Sequence, residues 1–86
     1  MPEVSRFYGM VIAMYHSEHP PPHFHVRYAG KWAVFSIDNC ELLEGTLPRR
    51  QMRHIKEWAR LHGAELAVNW DRARVELNLN SIEPLP

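Results

Sequence analysis

The sequence predicts an α+β fold, a small and mainly antiparallel sheet of three or four strands with two helices packed on one face. Three observations lead there. Apolar and polar residues alternate from His23 to Ser36 around an Ala-Gly pair, and apolar residues recur at helical spacing between Pro48 and Arg74. The third is size: 86 residues with 45% hydrophobic content suffice for one compact domain over 1–86 and are too few for two.

Taken in order, the run FYGMVIAMY is apolar, aromatic and β-branched almost throughout, and reads as a central strand over about 6–15, covered on both faces. Pro20, Pro21 and Pro22 cannot donate ladder hydrogen bonds and make a stiff connector. A second strand over about 23–29 points Phe24, Val26 and Tyr28 one way and His23, His25 and Arg27 the other. Ala29 and Gly30 form a two-residue hairpin loop into a third strand over about 31–38. That register sets Tyr28 opposite Lys31, Val26 opposite Ala33 and Phe24 opposite Phe35 on one face. On the other face it sets His23 opposite Ser36, His25 opposite Val34 and Arg27 opposite Trp32, with Asp38 one step farther along.

Residues 41–44 suggest a short further strand before Gly45. Pro48 suits the first position of a helix over about 48–62, whose inward stripe is Met52, Ile55, Ala59 and His62 with Trp58 on its flank. Gly63 interrupts the path, and a second helix over about 64–74 carries Leu66, Trp70 and Ala73 inward. In the tail, residues 75–86, a short extended segment is expected near Leu79 to Glu83.

Ten basic and ten acidic residues cancel, so net charge gives no argument for nucleic-acid or membrane binding and only local patches remain. The single cysteine, Cys40, cannot form an internal disulfide. The sequence shows neither a signal peptide nor an apolar run of membrane-spanning length, so a cytoplasmic protein is expected. So small a core profits from a partner or from self-association into a homo-oligomer.

Chemistry concentrates in EHPPPHFHVRY, residues 18–28. As a metal site it offers His19, His23 and His25, with His16 or Glu18 as a fourth ligand, and zinc is the ion such a set suits. As an acid–base site it offers His23 and His25 as proton donor and acceptor and Arg27 as an anion holder, beside Ser36 and Asp38. That set suits metal-independent phosphodiester cleavage, as in ribonucleases that use two imidazoles. The plainest reading gives the histidines to loop or partner contacts on a half-exposed sheet face, with Arg27 stacked on Trp32. With Val34 and the apolar first strand, this face has the mixed character of a protein interface. A second constellation, Arg49, Arg53, Lys56 and Arg60, falls on one exposed helix stripe. It can track phosphates or grip an acidic partner, although Glu57 lies within reach of Arg53 and Arg60.

The opening MPEVSRFYGMVI, the HPPPHFHVRY block, LEGTLPRRQMRHIKEWARLH, the following NW and the closing IEPL together resemble the bacterial family called domain of unknown function 4160. RVELNLN departs from the more polar, glycine-containing stretch expected there. The resemblance implies a small bacterial protein encoded beside a second one, commonly of the domain of unknown function 2442 family, some of which carry a helix-turn-helix. It thus implies the toxin-like member of a toxin-antitoxin-type pair, and the motif falls here on His23, Phe24 and His25. The function expected is therefore partner-dependent action through the histidine-bearing face, on RNA if catalytic. The alternative is a non-catalytic protein- or metal-binding module, accessory to a helix-turn-helix regulator.

Overall fold

The computed structural model describes residues 2–86. Five strands, β1 (Glu3–Phe7), β2 (Met10–Ala13), β3 (His23–Tyr28), β4 (Lys31–Ser36) and β5 (Leu42–Gly45), precede two helices, α1 (Arg49–Leu61) and α2 (Gly63–Arg74). The strands form one antiparallel meander in chain order.

The register expected for the β3–β4 hairpin is the one observed, with His23 opposite Ser36, His25 opposite Val34 and Arg27 opposite Trp32. Its loop has positive φ at both central residues, 47° at Ala29 and 81° at Gly30, the twist that two-residue hairpins favour.

The strand expected over 6–15 is instead two strands, and the sheet has five strands where three or four were expected. Tyr8 and Gly9 turn the chain with φ of 49° and 79°, so β1 and β2 pair with each other and β1 lies at the sheet edge. The turn is hidden in the sequence because both flanks are apolar, and hydrophobicity alone does not separate a buried strand from a buried hairpin. Residues 42–45 do form an edge strand, with a register shift between Val34 and Phe35. The tail forms no strand, and side chains hold it down instead. The Asn69 amide donates to the Asn80 carbonyl at 2.9 Å and accepts from the Asn80 N–H at 2.8 Å. Trp58 Nε1 donates to the Glu83 carbonyl at 2.9 Å. The Ile82 N–H donates to the Val4 carbonyl at 2.8 Å and buries the Ile82 side chain.

Phe24, Val26, Ala33 and Phe35 share one sheet face, which α1 covers with Ile55, Trp58 and Ala59. The Phe7 and Phe24 rings stand 5.4 and 5.9 Å from that of Trp58. The α1 face is therefore centred on Trp58, with Gln51 buried beside it, while Met52 and His62 lie at its margins. Leu66, Trp70 and Ala73 turn inward from α2 as expected, together with Asn69. The side-chain period of two sends His25, Arg27, Val11, Ala13, Trp32 and Val34 to the opposite, open face.

Candidate functional site

The site begins with the period-two alternation of β3, which brings His23 and His25 onto the open face two residues apart. The loop between β2 and β3 then folds back, so that Glu18 stands over both. Its Oε1 lies 2.6 Å from His25 Nε2 and 3.1 Å from His23 Nε2. The ring centroids of the two histidines are 5.3 Å apart. Tyr15 stands edge-on to His25 at 4.7 Å, and Trp70 of α2 lies 5.2 Å from His23. The rings are thus held between loop, strand and helix, with His23 the more buried at 12% side-chain exposure against 28% for His25.

Hydrogen-bond chemistry restricts what the cluster can be. His23 Nδ1 lies 2.7 Å from the Pro21 carbonyl oxygen, which only accepts, so Nδ1 carries a proton. In neutral His23 the lone pair of Nε2 would then face a carboxylate oxygen. A proton shared by the imidazole and the carboxylate, or a metal ion between them, makes that contact favourable. An imidazole whose far nitrogen is bonded to a backbone carbonyl is also how metal-ligating histidines are usually held. Burial pushes the Glu18 carboxyl up, but hydrogen bonds from His25 and then His23, with their positive charge, outweigh it and hold the group below its ordinary range.

Among the described residues, Glu18, His23 and His25 form a group able to hold a metal ion, their ligand atoms within 4.8 Å of one another. They line a cleft of about 410 Å³ with His19, Pro20, Pro21, Val34, Leu43 and Glu44. His19 borders the cleft without joining the cluster, and Glu18 takes the third position. His16 points elsewhere, its Nε2 3.3 Å from the Leu77 carbonyl.

The other expected site residues are spread out. Arg27 lines a separate concavity with Lys31 and Trp32. Ser36 lies opposite His23, but its hydroxyl donates to Asn39 at 2.5 Å and accepts from the Glu41 N–H at 3.0 Å, so it holds the turn. Asp38 borders a hollow with Cys40, Lys56 and Arg60 on the α1 side. Burial, partly countered by Lys56, pushes the Cys40 thiol up to about 11. Arg49, Arg53, Lys56 and Arg60 are all exposed along α1, whose packing face is turned to the sheet, and Arg60 bonds Glu57 at 2.7 Å. No helix among the described residues is long and apolar enough to cross a membrane.

Glu18 was legible only as an auxiliary ligand. The available signal was a carboxylate seven residues before His25 with three prolines between, which shows that the chain must bend but not where the carboxylate lands.

Fold and site together define a small α+β protein with a carboxylate and two imidazoles gathered at the rim of an open sheet face. A family model described as domain of unknown function (DUF4160) matches residues 9–71, well over half of the chain, and the protein belongs to that family. No curated protein and no solved structure matches it.

Proposed function

We propose that this protein is a metal-binding module in which Glu18, His23 and His25 ligate a divalent transition-metal ion. One observation carries the reading: a carboxylate oxygen and two Nε2 atoms, delivered by a loop and a strand, converge within 4.8 Å on the rim of a cleft. Tetrahedral ligands at the usual zinc distances stand roughly 3.4 Å apart, so a slight opening of the 2.6 and 3.1 Å contacts admits the ion. Two imidazoles and a carboxylate without thiolate suit zinc and the other borderline dications. Three protein ligands leave a coordination position for water or a ligand from the cleft.

The test is calorimetric titration of zinc into chelator-treated protein. Stoichiometric binding is expected, with release of the proton that the ligand set shares in the metal-free protein. Affinity should fall more than tenfold in Glu18→Gln and in His25→Ala, and be unchanged in a His16→Ala, His19→Ala control. Equal binding in a folded His23→Ala, His25→Ala variant would overturn the reading.

The acid–base reading, with His23 and His25 as acid and base and Arg27 on phosphate, is less favoured. Both Nε2 atoms address a single carboxylate oxygen, and Arg27 lines the neighbouring concavity.

A toxin-like role in a bacterial two-gene module is a second proposal, compatible with a cytoplasmic metal-bearing protein. Charge asymmetry favours it: five of the ten basic residues lie on α1, with Glu57 the single acid there, on a chain of zero net charge. An acidic partner chain, of the domain of unknown function 2442 type, can cover this ridge while the cleft on the opposite sheet face stays open. Induced expression tests it. Growth arrest that needs His23 and His25 and is relieved by the neighbouring gene supports the role; unimpaired growth with folded protein removes it.

A further inference from the structure

The concavity lined by Arg27, Lys31 and Trp32 is untouched by the metal reading. It measures about 520 Å³ and lies at the tips of the two hairpins, with Gly9, Val11, Tyr28, Ala29 and Gly30 completing its wall. That volume is within the range of small-ligand sites.

Its chemistry is selective. Trp32 is 51% exposed, whereas Trp58 and Trp70 are 0% and 6% exposed, so one indole of three is left in water, on the open face. Arg27 is its cross-strand partner on the same face, whereas Lys31 pairs with Tyr28, alternates to the other face and borders the concavity at the hairpin tip. The lining includes two cations and, among the described residues, no carboxylate. A flat aromatic surface beside a guanidinium matches a ligand with an aromatic ring and a neighbouring anion, which is the make-up of a nucleotide.

Position argues for a chain of nucleotides. Arg27 and His25 project from the same face of β3, about 7 Å apart at the usual rise for two residues. On β4, Trp32 of the concavity and Val34 of the histidine cleft are likewise neighbours on one face. An extended ligand seated at Trp32 therefore runs along β3 into the cleft. Stacking on an indole requires an unpaired base, which excludes a regular duplex.

We propose that Arg27 and Trp32 form a binding site for single-stranded nucleic acid, in which a base stacks on Trp32, the adjoining phosphate meets Arg27, and the strand continues toward His25. Neither residue is a ligand of the proposed metal, so this site stands or falls separately.

Because Trp58 and Trp70 are buried, quenching of intrinsic fluorescence reports chiefly on Trp32. Short oligouridylate and oligodeoxythymidylate would be titrated into the protein in chelator, with anisotropy of labelled oligonucleotide as the second readout. Quenching is expected, together with loss of affinity of about fivefold or more in Trp32→Ala, as for one stacked base. One phosphate contact gives a slope of about −0.7 in log affinity against log salt, and Arg27→Ala should flatten it. The His23→Ala, His25→Ala variant should retain binding while losing zinc. Binding of either oligonucleotide supports the site, and the difference between them reads the 2′-hydroxyl. Absence of quenching, equal affinity in Trp32→Ala and Arg27→Ala, or equal binding of a duplex would overturn it. So would a concentration-dependent Trp32 signal without oligonucleotide, which would make this face a contact between protein molecules.

Discussion

Glu18 Oε1 lies 2.6 Å from His25 Nε2, a contact between residues seven apart that the β2–β3 loop makes by folding back over the open sheet face. The same oxygen reaches His23, so one carboxylate ties the loop to two positions of β3.

That tie makes stability pH-dependent on the acid side. The folded Glu18 carboxyl titrates below its ordinary value of 4.5, so its contribution is complete above that value and is lost as pH falls through the lower, folded one. Glu18→Gln lacks this contribution. In urea titrations of metal-free protein, the advantage of the wild type over Glu18→Gln should shrink as pH is lowered from about 5 to about 3.

Gly45 ends β5 with φ of 75°, and a Cβ there would stand 2.1 Å from the Trp32 carbonyl oxygen and 2.9 Å from the Ala33 Cα. Both obstacles are backbone, so a side chain cannot be accommodated by rotation. Gly45→Ala should destabilise by about 2 kcal/mol or more, measured by chemical denaturation, and should loosen β5 selectively in hydrogen exchange.

Asn69 is fully buried and satisfies both the N–H and the carbonyl of Asn80. In Asn69→Ala those two backbone groups of Asn80, itself exposed, lose their protein partner and the tail loses its tether to α2, a loss of about 1 kcal/mol. Limited proteolysis should then cut within residues 77–86 before the sheet, whereas Asn69→Gln should rescue little because its longer side chain cannot keep both bonds in register.

Cys40, with its thiol pushed up to about 11, is a poor nucleophile in the folded protein. At pH 8 roughly one thiol in a thousand is ionised. Alkylation by iodoacetamide, followed by mass spectrometry, should be far slower than in urea-unfolded chain, and Lys56→Ala should slow it slightly further.

Much of the fold was legible where local chemistry and burial agree. The β3–β4 register followed from alternation around Ala29-Gly30, and the inward faces of α1 and α2 from helical spacing, although Trp58 proved central to α1. Tyr8-Gly9 carries the same residue-glycine pattern as Ala29-Gly30, but inside an apolar run it lacks the polar punctuation that marks a turn. In the tail, the alternation of VELNLN reports only that one side is apolar and does not say what the backbone pairs with. Its backbone partners turned out to be the side chains of Asn69 and Trp58 and the edge of β1.

The sequence alone determined which residues could share a face. A period of two put His23, His25 and Arg27 together, and a period near 3.6 put Arg49, Arg53, Lys56 and Arg60 in a row. Only the tertiary structure decided which of these form a site. The folded loop chose Glu18 over His19, the separation of two concavities set Arg27 with Trp32 apart from the histidines, and the packing of α1 turned its basic ridge away from both. Faces follow from bond geometry within a segment. Sites depend on where a loop closes, and that is settled by contacts between residues distant in sequence, which no local pattern encodes.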